Sequence, residues 1–263
     1  MKVFKKLDYK TYFKKFKLSK LMQKDFDKLL NKKSIGIKDR VDPNNKIPFG
    51  PDILDLIRLH FIVTFRKVST ILEFGVGESS LVFAHALQIN KEKYFDIFKS
   101  KLRKNNIFEL HSVDNQQKWI DICKKKIPKN LNDITNFHLS KVITSTYNDK
   151  ICTFYERLPN ICPDLIYLDG PDQFSSFGDI RGISTRNFDR MPMSADILAI
   201  EYFLQPGCII LVDGRTANAR FLRNNLQRNW YYRYNNAYDL HYFELVEAPL
   251  GKINKLMLDF KNK

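Results

Sequence analysis

Cysteine is scarce and poorly spaced for metal binding: Cys123, Cys152, Cys162 and Cys208 stand 29, 10 and 46 residues apart, with no C-x-x-C pair and no histidine at ligand spacing. That pattern argues against a Cys-based zinc module. Long apolar runs are missing as well: stretches such as CIILV at 208–212 fall far short of the ~18 residues a membrane span needs. The opening MKVFKKLDYKTYFKK interrupts each apolar stretch with Lys or Asp before the hydrophobic part of a signal peptide can form. A soluble, cytoplasmic protein is therefore expected. Neither an H-E-x-x-H segment nor a Ser/His/Asp order is present, so neither of those hydrolytic sites is expected.

Acidic residues are in deficit, 29 against 44 Lys and Arg, for a net charge of +15. Such a surplus suits anionic partners, whether nucleic acid, a membrane surface or an acidic ligand, although a Lys-, Asn- and Ile-rich composition from nucleotide bias accounts for it equally. Aromatic residues are plentiful, with 21 Phe, 12 Tyr and 2 Trp in a chain that is 44% hydrophobic. A disordered chain is excluded, and 263 residues at roughly 150 per domain allow one large domain with an appendage.

The charge is unevenly placed. Residues 1–33 hold 12 Lys against 3 Asp, nine of the fifteen surplus charges. Phe13, Phe16, Leu21, Phe26, Leu29 and Leu30 recur there at helical spacings, so a basic helical extension is expected over residues 1–35. A Pro-, Gly- and Asn-rich linker is expected over 36–51. From 52 to 248 helical and strand-like segments alternate, the pattern of a parallel sheet covered on both faces. Strands are expected at TILEF (70–74), FELHSVD (108–114), about 137–144, DLIYLDG (164–170) and CIILVDG (208–214). Helices are expected at 52–65, 79–87, 116–126, 194–204 and 217–226, with a polar insertion at 90–106. WYYRY and LHYFELVEA, joined by NNAYD, read as a closing hairpin, followed by a basic tail over 249–263. The expected fold class is α/β: a Rossmann-like, doubly wound, mostly parallel sheet with a C-terminal antiparallel hairpin and an N-terminal basic helical extension.

The segment from Ile71 to Ser80, ILEFGVGESS, ends a strand in glycines at the mouth of a helix. Glycine lets backbone approach a ligand, and a helix amino terminus offers free N–H groups. The position three after Gly77 is Ser80, so the dinucleotide fingerprint is not met; taken alone, the loop reads equally as a tight turn. Asp114 ends the next strand, where an acid can accept ribose hydroxyls or cap the following helix. Glu73-x-Gly75-x-Gly77-x-Ser79 with Asp114 resembles the class I S-adenosylmethionine-dependent methyltransferases over about residues 50–248. The resemblance implies that Glu73 orders the glycine loop, that Gly75, Gly77 and Ser79 face the methionine end of S-adenosylmethionine, and that Asp114 binds its ribose. The 90–106 insertion, which separates Gly77 from Asp114 by 37 residues, departs from the family pattern.

A second group is Asp169-Gly170-Pro171-Asp172-Gln173 with Asp213-Gly214-Arg215. Adjacent parallel strands bring both acids to the carboxyl edge, where they can hold a divalent cation such as Mg²⁺, act as a base, or simply start Asp-Gly turns. Metal-dependent O-methyltransferases of the catechol type carry acids at both places, so by resemblance Asp169 and Asp213 look like metal ligands. Gly214 stands where that family has Asn, and Asp172 where it has its catalytic Lys. Asp169 and Asp172 are the candidate catalytic residues. Arg181, Arg186, Arg190, Arg215 and Arg220 suit an anionic substrate or surface ion pairs with neighbours such as Asp179 and Asp189. His111 and His138 read as packing or edge residues.

The resemblance implies methyl transfer to an oxygen of a small molecule or saccharide. The charge keeps open an RNA or protein methyltransferase, although DGPDQ lacks the Asn/Asp-Pro-Pro-aromatic motif of amino-directed members. It also keeps open a non-catalytic protein that binds nucleic acid or another anionic surface through its basic amino terminus.

Overall fold

The computed structural model describes residues 7–23, 26, 52–102, 104–191 and 193–262. The linker expected over 36–51 lies outside them. Seven strands form one sheet: β1 (Thr70–Phe74), β2 (Glu109–Asp114), β3 (Thr135–Leu139), β6 (Leu165–Leu168), β8 (Ile209–Asp213), β9 (Trp230–Asn235) and β10 (Leu240–Leu245). Their order is β3-β2-β1-β6-β8-β10-β9. The first five run parallel, and β10 pairs antiparallel with both β8 and β9. This is the expected Rossmann-like α/β fold with its closing hairpin.

Period-2 alternation explains how the sheet is buried on both sides. Ile71, Leu110, Leu165, Tyr167, Ile209 and Leu211 face one core. Their neighbours Leu72, Phe74, Val113, Ile166, Leu168, Ile210 and Val212 face the other. On the first face lie α1 (Tyr9–Lys15), α2 (Leu18–Met22), α3 (Ile53–Phe65) and α4 (Glu78–Ser100). On the second lie α6 (Asp196–Ile200) and α7 (Thr216–Asn225); α5 (Gln117–Lys126) follows β2. The side chain of Asp52 starts α3 by accepting from Leu54 N at 2.8 Å, ordinary N-capping. The helices in the basic amino-terminal stretch are docked: Phe13 and Leu18 are 2% and 0% exposed, while Lys14, Lys15, Lys17 and Lys20 face outward.

Four segments differ from the sequence expectation. The polar stretch at 90–106 continues α4 as far as Ser100, because its Lys and Glu residues are good helix formers and Phe98 packs against Phe108 and Met257. Instead of one weak strand at 137–144, the chain forms β3 and then a hairpin, β4 (Val142–Tyr147) and β5 (Lys150–Tyr155). Asn148 and Asp149 turn it with φ of 47° and 60°, as a two-residue hairpin turn requires. A short β7 (Ser176–Phe177) from the long 171–192 excursion joins β4 in parallel. Residues 249–263, expected as a tail, carry α8 (Lys252–Asn262). Lys261 of α8 pairs with Asp164 at 3.1 Å. Among the described residues no helix is long and apolar enough to cross a membrane.

Candidate active site

The chain leaves β1 toward β2 and β3 on one side, and resumes at β6 toward β8 on the other. The crevice between the carboxyl ends of β1 and β6 is thus the point where strand order reverses, the usual ligand site of open α/β sheets. Two glycines meet there. Gly75 adopts φ +92°, and a side chain on it would come within 2.9 Å of Gly170 N. A side chain on Gly170 would in turn lie 2.7 Å from Gly75 N. The two backbones touch, so neither position admits a Cβ. Gly77 differs: its extended backbone suits any residue, and an added Cβ would meet only Ser79 Oγ at 3.8 Å. It caps the start of the 23-residue α4.

Glu73 lies beneath this loop with no exposure at all. Ser79 Oγ donates to its Oε1 at 2.6 Å, and Ser80 and Ser112 donate to its Oε2 at 2.6 and 2.5 Å. Burial pushes its carboxyl up to about 7, against the pull of the three hydroxyls. One side chain therefore ties β1, β2 and the first turn of α4 together. Ser112 stands directly opposite Glu73 in the β1–β2 register; neither Ser80 nor Ser112 stands out in the sequence.

Asp114 at the tip of β2 accepts from Val76 N at 2.9 Å and from Gln116 N at 2.8 Å. Burial raises its pKa, and the two amides partly offset this. Each oxygen keeps a further lone pair. Asp172 is more fully engaged. Its Oδ1 accepts from Phe174 N at 2.8 Å, and its Oδ2 from Gln116 Nε2 at 3.0 Å and from Ser175 Oγ. It thereby links the loop after β6 to the loop after β2.

Asp169 stands at the open end of β6 with its side chain 53% exposed. It lies in a crevice walled by protein, which raises its pKa, while Arg215 lowers it. Arg215 contacts Asp169 Oδ1 at 3.4 Å, donates to Pro171 O at 2.7 Å and bonds the carbonyl of Asp169. Asp213 accepts from Tyr167 Oη at 3.0 Å, and burial together with the Asp55 and Asp169 charges pushes it up to about 7. Among the described residues no three of His, Cys, Asp and Glu come together in a way that could hold a metal ion. With a guanidinium at Asp169 and a phenol at Asp213, the pair does not fit a divalent cation.

Of the other arginines singled out, Arg186 donates to Ser176 O and Gly178 O, and Arg190 to Ser184 O. They brace the excursion through its backbone. His111 and His138 stack and share a ring-nitrogen contact of 3.1 Å, away from the crevice on β2 and β3.

No family model matches the chain, and no curated protein matches it. Solved structures similar to it include the O-methyltransferase TomG of Streptomyces achromogenes in complex with SAM. That likeness has 13% identity and a TM-score of 0.40 over 92% of this chain and 100% of that one. An O-methyltransferase from Bacillus cereus in complex with SAH is 12% identical with a TM-score of 0.40, over 91% and 100% of the two chains. A SAH-bound methyltransferase of Podospora anserina is 11% identical with a TM-score of 0.41, over 92% and 99%.

Proposed function

We propose that this chain is an S-adenosylmethionine-dependent methyltransferase acting on an oxygen of a small molecule or saccharide. The observation that carries the reading is the crevice itself. A glycine loop locked from below by Glu73 opens at a helix amino terminus at the switch point of the sheet, with Asp114 beneath its Val76 amide. The open side of Gly77 and the spare lone pairs of Asp114 suit a nucleoside with a close-lying polar tail. Bound there, the cofactor would supply an electrophilic methyl group.

The chain's own part is positioning and proton handling. Gly75, Gly77 and Ser79 shape the loop, and Asp114 holds hydroxyls. Asp169, half open and with its pKa raised from its ordinary value by burial, takes the proton of the acceptor hydroxyl, while Arg215 keeps its loop in place. Asp172 orders the wall between the two loops, a positioning role. No metal enters this proposal. Alignment of the two reactants would supply most of the rate gain.

The outward lysines of α1 and α2 support a contact with an anionic surface or nucleic acid, screened by salt over about 10 Å at 0.1 M. Calorimetry with S-adenosylhomocysteine tests the main reading. The wild type should bind, Asp114→Asn should bind at least ~10-fold more weakly, and Asp169→Asn should bind normally yet lose ~10²-fold in turnover once an acceptor is found. A folded wild type that binds neither S-adenosylmethionine nor its demethylated product overturns the assignment.

A further inference from the structure

Tyr155, the last residue of β5, is 5% exposed and its ring stacks on Phe74 at 5.6 Å. Its Oη is buried without a hydrogen-bond partner. Among the described residues four other buried side-chain atoms share that condition, but Arg58 and Arg66 meet carboxylates through their other nitrogens, and Thr144 and Thr153 stand opposite each other in the register of the β4–β5 hairpin. The Tyr155 hydroxyl is different in its surroundings. The charges that act on it are Asp114, Asp196, Arg215 and Asp172, drawn from the end of β2, the loops after β6 and β8 and the start of α6. Phe74, the residue under its ring, ends β1. Tyr155 thus stands on the wall of the crevice described above, although it belongs to a hairpin outside the main sheet.

A buried hydroxyl without a partner is a cost that phenylalanine at the same place would avoid. The cost is removed if a ligand supplies the partner. Carboxylates dominate around the Oη, which excludes an anionic ligand group. A cationic group would be satisfied by the carboxylates and would have no use for a phenol donor. A neutral pair of neighbouring hydroxyls uses both kinds of group, since Asp114 can only accept while Tyr155, kept protonated by burial, can donate as well as accept.

We propose that Tyr155 Oη is a ligand contact of this crevice and that, together with Asp114, it holds the vicinal hydroxyls of the bound nucleoside. This rests on the reading of the crevice as an S-adenosylmethionine site and extends it to a residue outside the glycine-loop motif. The test is Tyr155→Phe, compared with wild type by urea unfolding without ligand and by calorimetry with S-adenosylhomocysteine and its 2′,3′-dideoxy analogue. Unliganded stability should be unchanged or higher. Affinity for S-adenosylhomocysteine should fall about tenfold, and affinity for the dideoxy analogue should be the same in both proteins. Equal affinity of both proteins for S-adenosylhomocysteine overturns the role of Tyr155 alone. So does a lower unliganded stability or failure of the variant to fold, since the hydroxyl would then have a structural partner. A wild type that binds no S-adenosyl ligand overturns the reading beneath it.

Discussion

Gly75, Gly77 and Gly170 look alike in sequence but do different work, and substitution can separate them. A Cβ on Gly170 would sit 2.7 Å from Gly75 N, so the ends of β1 and β6 would have to part. Gly170→Ala should cost about 1–3 kcal/mol or more, the range of overpacked cores, measured by urea unfolding. Gly77→Ala meets open space and should cost at most about 1 kcal/mol as a helix cap. It should nevertheless weaken S-adenosylhomocysteine binding at least ~10-fold, because the methyl would stand where the ligand comes close. Equal loss of stability in the two variants would refute this division. Gly75 and Gly77 are legible from their place between a strand and a helix. Gly170 is not, because its constraint comes from a backbone 95 positions away in the chain.

At the scale of elements, the amino-terminal helices show how packing changes the meaning of a charged stretch. Their lysines stand out in composition, but apolar and aromatic positions hold α1 against α3. Tyr12 Oη contacts His60 Nδ1 at 2.8 Å and Thr64 Oγ1 at 3.0 Å, and His60 Nε2 lies 2.9 Å from His85 Nδ1. Burial, with the neighbouring ring of His85, holds His60 well below its ordinary pKa, so the network is neutral and depends on its hydrogen bonds. Tyr12→Phe strands His60 Nδ1 in the core and should cost about 1–3 kcal/mol. Thermal unfolding with no shift would show that the Tyr12 hydroxyl contributes nothing to stability. Lys→Gln changes on the outer face should leave that transition in place, surface substitutions of this kind being worth within about 0.5 kcal/mol. The β4–β5 hairpin carries a similar lesson. VITSTY and KICTFY around Asn-Asp are a hairpin signal in hindsight, yet only the fold brings Tyr155 from its end to the crevice.

The whole molecule has a second buried charge cluster at the opposite edge of the sheet. Asp164 accepts from Ser69 N and Oγ at 2.7 Å and is paired with both Lys104 and Lys261. One carboxylate cannot fully compensate two buried ammonium groups: burial pulls Lys104 and Lys261 down to about 7, helped at Lys104 by the charge of Lys261 and at Lys261 by the charge of Arg66. The folded pKa lies below the unfolded value of 10.5, so above pH 7 the unfolded chain holds protons that the folded chain has released. Stability should therefore rise between pH 7 and 9, by up to about 1.4 kcal/mol per pH unit for each lysine. Lys261→Met should flatten that slope in urea unfolding followed across the range. An unchanged slope would mean that Lys261 does not lose its proton on folding.

The alternation of strands and helices, the closing hairpin, the glycine loop and the acids at strand ends were all determined by local order along the chain. Periodicity and turn chemistry act over a few residues, and the sequence carries them directly. What only the tertiary structure decided depends on groups that meet across long separations. Ser112 meets Glu73 through strand register, Gly170 meets Gly75 through strand adjacency, and Arg215 meets Asp169 across the edge of the sheet. The metal-ligand reading of Asp169 and Asp213 turns on the same kind of contact. Spacing brings both acids to one edge, but whether they face a cation or face Arg215 and Tyr167 is settled by the neighbours that the fold packs around each carboxylate.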